Sequence, residues 1–288
     1  MTLVSRAPAK INLSLHIVGR RPDGYHELES LVVFAGAGDT LSLTPADKLS
    51  FSAEGPTAAL AGPADDNLVL RAARLLGEQV EIRTGTFHLV KRLPVAAGVG
   101  GGSSDAAAAL RLLADANAIS HDDPHIMAAA RRAGSDVPVC IDARARMMRG
   151  AGDALGARLR LPPLFAVLIN PRTPVETAPV FARLGLARGE TLKGMPHPFV
   201  PDNLTQAQLI ELLSQTRNDL QAAATEIAPV IADVIEALRA TPDCRLARMS
   251  GSGATCFGLF ETCHQAARAA AQIRARRAGW WIRPTLLR

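Results

Sequence analysis

Aromatic side chains are scarce. The chain carries eight Phe, two Trp and a single Tyr, 4% of 288 residues that are otherwise 48% hydrophobic. Its core must be filled by Ala, Leu, Val and Ile, which makes the position of each ring, Tyr25 above all, worth reading. Cysteine is thin as well: four residues, far apart, with no CxxC pair. That excludes a disulfide-dense scaffold and a paired-thiolate zinc site, and it fits a reducing, cytoplasmic setting. Long hydrophobic runs are missing. MTLVSRAPAK has no apolar stretch ahead of its charges, and the uncharged runs are rich in Gly, Ser or Pro, so neither a signal peptide nor a membrane span is expected. Charge of one sign is not concentrated either: 32 Lys and Arg against 27 Asp and Glu leave +5, spread along the chain. The clearest basic cluster, Arg268, Arg274, Arg276 and Arg277, closes an Ala-rich helical stretch, where cations favour the helix C-terminus without any partner. Disorder is excluded by the apolar content combined with only 20% charged residues.

The chain is long enough for two domains, or one large one. Loose alternation over 3–18, then over 28–36 and 39–44 around Gly36 and Gly38, predicts a strand followed by a hairpin. Residues 66–77 have helical spacing, an Asp/Asn start and Gly77 as a stop. A strand at 86–91, a Gly-rich loop at 94–102, a helix at 103–117 opened by Ser103, Ser104 and Asp105, and a helix at 123–133 ending at Gly134 follow. Short strands are expected near 139–149 and 155–160. Pro162-Pro163 marks a boundary, giving domains 1–160 and 161–288. The second half then offers a strand at 164–169, helices near 176–185, 206–215 and 226–240, strands near 245–249 and 255–260, a helix at 264–277 and a last strand at 280–287.

The strongest local signal runs from Pro94 through Val95, Ala96, Ala97, Gly98, Val99, Gly100, Gly101 and Gly102 to Ser103, Ser104 and Asp105. Glycine occupies four of five positions between Gly98 and Gly102, so the backbone can turn its N–H groups toward one point, and the helix that follows adds its positive end. Such a loop suits phosphate. It matches neither the Walker A pattern, which needs Gly-Lys before Ser or Thr, nor GxGxxG, since Ser103 stands where the last Gly would be. The plainer alternative is a flexible turn whose Ser caps a helix; two adjacent hydroxyls at the helix start favour phosphate or a bound magnesium ion. With no lysine in the loop, a cation must come from elsewhere. Lys10, among small and apolar residues in Ala7-Pro8-Ala9-Lys10-Ile11-Asn12-Leu13, is a candidate, or else an ordinary edge-strand lysine. Asp136, in Gly134-Ser135-Asp136-Val137-Pro138-Val139 between a helix end and an apolar strand, is a cap or turn residue or a positioned acid/base. Met249-Ser250-Gly251-Ser252-Gly253-Ala254-Thr255 is a hairpin turn or a place where backbone approaches a ligand.

Taken together these segments resemble the small-molecule kinases of the galactokinase, homoserine kinase, mevalonate kinase and phosphomevalonate kinase superfamily, the GHMP kinases. The Pro-x-Lys-x-Asn segment, the Pro-x-x-x-Gly-x-Gly-x-Ser-Ser loop and the late Gly-Ser-Gly turn occur in the same order and cover the chain nearly end to end. Within the superfamily, Gly19 to Ser30, with Asp23-Gly24-Tyr25-His26 at its centre, resembles the branch whose acceptor is a cytidine-diphosphate-linked methylerythritol. Gly134 to Pro138 and Asn218-Asp219-Leu220 match that branch too. Ala96, Ala97 and Val99 depart from a more usual Met, Gly and Leu set, and Gln221 stands where Glu often follows.

The resemblance implies an α/β (α+β) fold of two domains, an N-terminal ribosomal-protein-S5-domain-2-like domain and a C-terminal ferredoxin-like domain, with the active site in the cleft between them. It implies ATP-dependent phosphorylation of the acceptor's 2-hydroxyl in non-mevalonate isoprenoid precursor biosynthesis, with ATP and Mg2+ as cofactors. Residues Pro94 to Ser104 would bind the ATP phosphates and no side chain is assigned to the metal. Lys10 and Asp136 would be the catalytic pair, Tyr25 and Phe181 would sandwich the cytosine, His26 would hydrogen-bond its edge, and Asn12 and Thr177 would hold the methylerythritol end. The expected partners are the small-molecule acceptor and ATP, with no nucleic acid and no membrane, in a monomer or weak homodimer. Two alternatives are another GHMP kinase acting on homoserine or a mevalonate derivative, which has no reason for Asp-Gly-Tyr-His, and a non-enzymatic RNA-binding module. The latter would explain the +5 charge but would need interleaved aromatic and basic residues on a strand face.

Overall fold

A computed structural model describes residues 1–60, 67–192, 194 and 196–288. The chain divides into two compact units that are interleaved in sequence: one comprises Met1–Lys10, Ala37–Val95 and Gly100–Ala143, the other Ile11–Gly36, Ala96–Val99 and Arg144–Arg288. A single cut at 160/161 does not reproduce them, because the chain passes from one unit to the other inside two strands and again inside the Gly-rich loop.

The first unit takes the start of β1 (Leu3–Asn12) and the second half of β3 (His26–Pro45), joined by β4 (Ser50–Glu54) and β5 (Gly85–Val90). β5 runs antiparallel to β3, from Thr40 opposite Val90 to Pro45 opposite Gly85, and β4 runs parallel to β5. Every second residue of β5 is buried, so Phe87 and Leu89 line the core with Leu41 and Leu43. Four helices complete the unit: α1 (Leu68–Gly77), α2 (Gly101–Ala116), α3 (Pro124–Ala133) and α4 (Val137–Asp142). Ala106 to Ala109 of α2 are fully buried, and their small side chains allow close helix packing. Asn67 caps α1 through its side chain; Asp66, the other residue of the expected start, lies outside the described residues.

The second unit holds β2 (His16–Arg20) and the first half of β3, with β6 (Arg146–Gly150) and β7 (Ala154–Arg158). It also holds β8 (Leu164–Asn170), β9 (Leu246–Met249), β10 (Cys256–Phe260) and β11 (Trp281–Leu287). β8 lies between β10 and β11, antiparallel to both, and β9 pairs with β10. β8 and β10 are buried nearly throughout, which is why they read as continuous apolar runs and not as alternations. α8 (Val230–Arg239) and α9 (Cys263–Arg276) pack on these strands; α5 (Thr177–Ala182), α6 (Gln206–Ser214) and α7 (Gln221–Ile227) complete the unit. No helix among the described residues is long and apolar enough to cross a membrane.

Three expectations are corrected. No hairpin forms around Gly36 and Gly38: β3 is one strand of 20 residues. Gly38 serves close approach, since a Cβ there would lie 2.5 Å from the Ala7 carbonyl oxygen of β1. The apolar segment after Asp136 is the short helix α4, not a strand; Pro138 sits in its first turn, where a missing N–H leaves nothing unpaired. The helix expected over 226–240 is two helices, with Pro229 in the cap position of α8.

Candidate functional site

In the first unit, Lys10 and Asp136 meet. The Lys10 Nζ lies 2.8 Å from Asp136 Oδ2, the lysine buried and the carboxylate about one-third exposed. Asp136 stands at the cap position of α4, yet its side chain makes no capping hydrogen bond. Its carboxylate is therefore available to the lysine. Lys10 is no edge-strand surface lysine, at 5% exposure.

The Gly-rich loop passes against the same lysine. Gly100 precedes α2 with φ 59°, a left-handed conformation, and a Cβ there would lie 3.3 Å from the Cβ of Lys10. No side chain caps α2. The N–H groups of its first turn have no partner inside the helix, the arrangement that favours an anion. The helix begins at Gly101, two residues before the serines expected to open it. Ser103 is partly exposed, but Ser104 is turned inward: its hydroxyl donates to the Pro8 carbonyl at 2.6 Å and contacts Cys140 Sγ at 3.4 Å. That hydroxyl is already committed, so the phosphate role expected for the Ser104 side chain does not fit this arrangement.

Beneath the loop lies a group that the sequence reading missed. Lys91 Nζ, buried, contacts Asp39 Oδ2 at 2.6 Å and Asp105 Oδ2 at 2.5 Å, and a Cβ on Gly101 would come within 3.2 Å of it. Burial pulls the ammonium pKa down, but the two carboxylates outweigh it and hold it above its usual value. Burial, helped by the Asp39 charge, pushes Asp105 up to about 7 against the pull of Lys91. The remaining oxygen of Asp39 accepts from the Arg92 and Leu93 N–H groups, fixing the strand exit that leads into the loop. A lysine closing an apolar strand was the available signal.

In the second unit, residues 96–99 of the loop rest on the late turn. A Cβ at Gly98 (φ 69°) would strike the Ser250 carbonyl oxygen at 2.5 Å and Gly253 N at 2.8 Å. The Ser250 hydroxyl donates to the Gly98 carbonyl at 3.0 Å and accepts from Asn12 N at 3.1 Å. Asn218 Nδ2 holds the Met249 and Gly251 carbonyls at 2.8 and 2.9 Å. The late turn is thus a support for the loop. Ala96 adopts φ 50°. Asn12 donates through Nδ2 to Ser30 at 2.7 Å while its buried Oδ1 has no partner.

The Asp23 to His26 segment of the same unit forms a tight turn. Asp23 accepts from Tyr25 N at 3.1 Å, Gly24 takes φ 96°, and Arg21 N donates to the Tyr25 carbonyl at 2.7 Å. The turn leaves Tyr25 64% exposed. His26 packs on Phe181 with ring centroids 4.8 Å apart, and its buried Nε2 has no hydrogen-bond partner. Burial, then the Arg20 charge, lowers the His26 pKa, so the ring is neutral near neutral pH. Thr177 is exposed and its hydroxyl lies 2.9 Å from that of Ser252. Among the described residues Tyr25 and Phe181 share no ring contact.

The GHMP kinases N terminal domain model matches residues 67–144 and the GHMP kinases C terminal model matches residues 201–278. A 4-diphosphocytidyl-2-C-methyl-D-erythritol kinase of Methylobacterium radiotolerans is 60% identical over 100% of both chains. The enzyme of that name from Xanthobacter autotrophicus is 57% identical, covering 99% of this chain and 98% of its own. A crystal structure of 4-(cytidine 5'-diphospho)-2C-methyl-D-erythritol kinase superposes with a TM-score of 0.73 at 34% identity over 99% of each chain. These matches run the length of the chain and include both units, and the chain belongs to the GHMP kinases, in the 4-diphosphocytidyl-2-C-methyl-D-erythritol kinase family.

Proposed function

We propose that this chain transfers the γ-phosphoryl group of ATP to the 2-hydroxyl of 4-diphosphocytidyl-2-C-methyl-D-erythritol, giving the 2-phosphate and ADP in isoprenoid precursor synthesis. The observation that carries the reading is the Asp136 carboxylate, uncommitted to capping and paired with Lys10 at 2.8 Å. Phosphoryl transfer to an alcohol asks a protein mainly to align donor and acceptor and to stabilise charge on the moving group. Asp136 takes the proton of the 2-hydroxyl as its oxygen bonds to phosphorus and the bond to the ADP oxygen breaks. Lys10 orients the carboxylate and offsets the charge that develops beside it.

The residues of the loop fit a nucleotide's phosphates: the unspent N–H groups opening α2, the left-handed Gly100 and the backbone of Pro94 to Ser104 as a whole. A magnesium ion bound with the nucleotide supplies charge neutralisation on the phosphates. Among the described residues no group of three or more His, Cys, Asp or Glu converges. Ser103 therefore offers the hydroxyl of this chain that would assist the ion. The exposed Tyr25 ring is suited to stack on a base, with neutral His26 presenting Nε2 to its polar edge and Phe181 backing the imidazole. Asn12 Oδ1 and Thr177 would take hydroxyls of the methylerythritol end. Four free cysteines suit a reducing compartment, and the reading puts the enzyme in the cytoplasm.

Coupled ADP release with this acceptor, homoserine and mevalonate offered in parallel tests the proposal. Turnover with the cytidine-diphosphate acceptor alone is expected; turnover with either of the others in its place would overturn it.

A further inference from the structure

Two residues on α2 tie together the elements that carry Lys10 and Asp136. Lys10 is on β1 and Asp136 opens α4. Ser104 donates to the carbonyl of Pro8, two residues before Lys10, and touches the thiol of Cys140, one helical turn after Asp136. Seven residues further on and therefore on the same side of α2, Arg111 repeats the pattern. Its Nη1 donates to the Cys140 and Ile141 carbonyls at 2.8 and 3.2 Å, in the last turn of α4. Its Nη2 donates to the Arg6 carbonyl at 2.6 Å and the Ser5 hydroxyl at 3.1 Å, while Nε meets the same hydroxyl at 3.2 Å, all on β1.

We infer that Ser104 and Arg111 are positioning residues, a two-point brace that sets the spacing between Lys10 and Asp136. The inference rests on the reading of that pair as the transfer machinery. Neither brace residue has a reason of local structure to take this form. Ser104 does not cap α2, which begins three residues earlier, and Arg111 makes no ion pair: its guanidinium is spent on carbonyls and a hydroxyl alone. Burial lowers its pKa, and its guanidinium stands at the C-terminal end of α4, where a cation is favoured. The Cys140 thiol, pushed up to about 12 by burial, stays protonated and inert. Rigid bonds at both ends suit a pair whose geometry decides the rate, because a displacement of about 1 Å costs on the order of 10²-fold in turnover.

The test is a pair of mutant cycles on the full chain: Arg111→Met and Ser104→Ala, each alone and combined with Asp136→Asn, with kcat and both KM values measured. The expected result is a loss of about 100-fold in kcat for Arg111→Met and about tenfold for Ser104→Ala, the latter equivalent to about 1.4 kcal/mol of barrier. Both KM values should stay nearly unchanged. In the Asp136→Asn background, the same substitutions should cost almost nothing further, because there is no carboxylate left to position. Equal losses in both backgrounds, or an unchanged kcat in the single variants, would overturn the brace. Near-normal turnover by Asp136→Asn alone would instead overturn the underlying reading of the pair. Arg111→Lys, which retains the cation with fewer donors, guards against misfolding: folded by circular dichroism, it should lose kcat between wild type and Arg111→Met, and full activity would count against the brace.

Discussion

The two units differ in how their polar side chains are spent. Around Lys10 and Asp136 most side-chain polar groups have partners: the lysine has the carboxylate, Ser104 has Pro8, Arg111 has five contacts and Lys91 has two buried acids, although Asp105 Oδ1 is buried without one. In the second unit more is left open. Tyr25 is 64% exposed, His26 Nε2 and Asn12 Oδ1 are buried without partners, and Thr177 is exposed. On the proposed function, the difference is one of task. A transition state rewards groups fixed beforehand, because no reorganisation is then needed at the moment of transfer. Recognition of a base rewards groups left unsatisfied, whose partners the correct ligand alone supplies.

The largest expected effect breaks the ordered half. Asp136→Asn should lower kcat by roughly 10²- to 10⁴-fold, the usual range for a general base, with the Kd for ATP nearly intact by calorimetry. Next, Lys91→Met should destabilise the first unit by about 3–5 kcal/mol, the cost of leaving buried charges uncompensated, as read by urea denaturation. Adding Asp105→Asn should recover part of that loss. In the unsatisfied half, Tyr25→Ala should raise the Kd for the cytidine acceptor by roughly 5- to 150-fold, the value of about 1–3 kcal/mol of base stacking, with ATP binding untouched.

A smaller effect concerns pH. Burial first, then Arg217 and the neighbouring His197, lower the His16 pKa to about 4, while Asp219 and Glu29 pull the other way. The unfolded chain takes up a proton there below about pH 6.5 and the folded chain does not. Stability should be complete above that pH and fall by on the order of 2 kcal/mol as pH drops toward about 4. His16→Asn should flatten that dependence. Ala96 carries the smallest effect: Ala96→Gly should stabilise by up to about 1 kcal/mol, since φ 50° disfavours a Cβ.

The fold was largely legible because apolar spacing and Gly or Pro punctuation govern local structure, and most strands and helices fall where those signals put them. The misreadings share one cause, a residue whose role is tertiary. Gly38 looks like a turn and is a contact with β1; Val137 to Ile141 looks like a strand and is a helix held at its far end by Arg111. The candidate site was legible where composition is odd, as in the glycine run and the lone tyrosine. It was silent where partners are distant in sequence: Lys91 with Asp39 and Asp105, and Ser104 with Pro8, have no spacing to betray them. Ser104 was counted with Ser103 because adjacent residues look alike in a sequence, although successive positions on a helix point about 100° apart.

The division of labour itself is tested most directly by rapid-quench measurement of the transfer step at saturating acceptor, beside acceptor titration, for Asp136→Asn and Tyr25→Ala together. The account predicts a slow chemical step with normal acceptor affinity in the first variant and weak affinity with a nearly normal chemical step in the second. A Tyr25→Ala variant slow at saturation, or an Asp136→Asn variant that transfers at the wild-type rate, would contradict it.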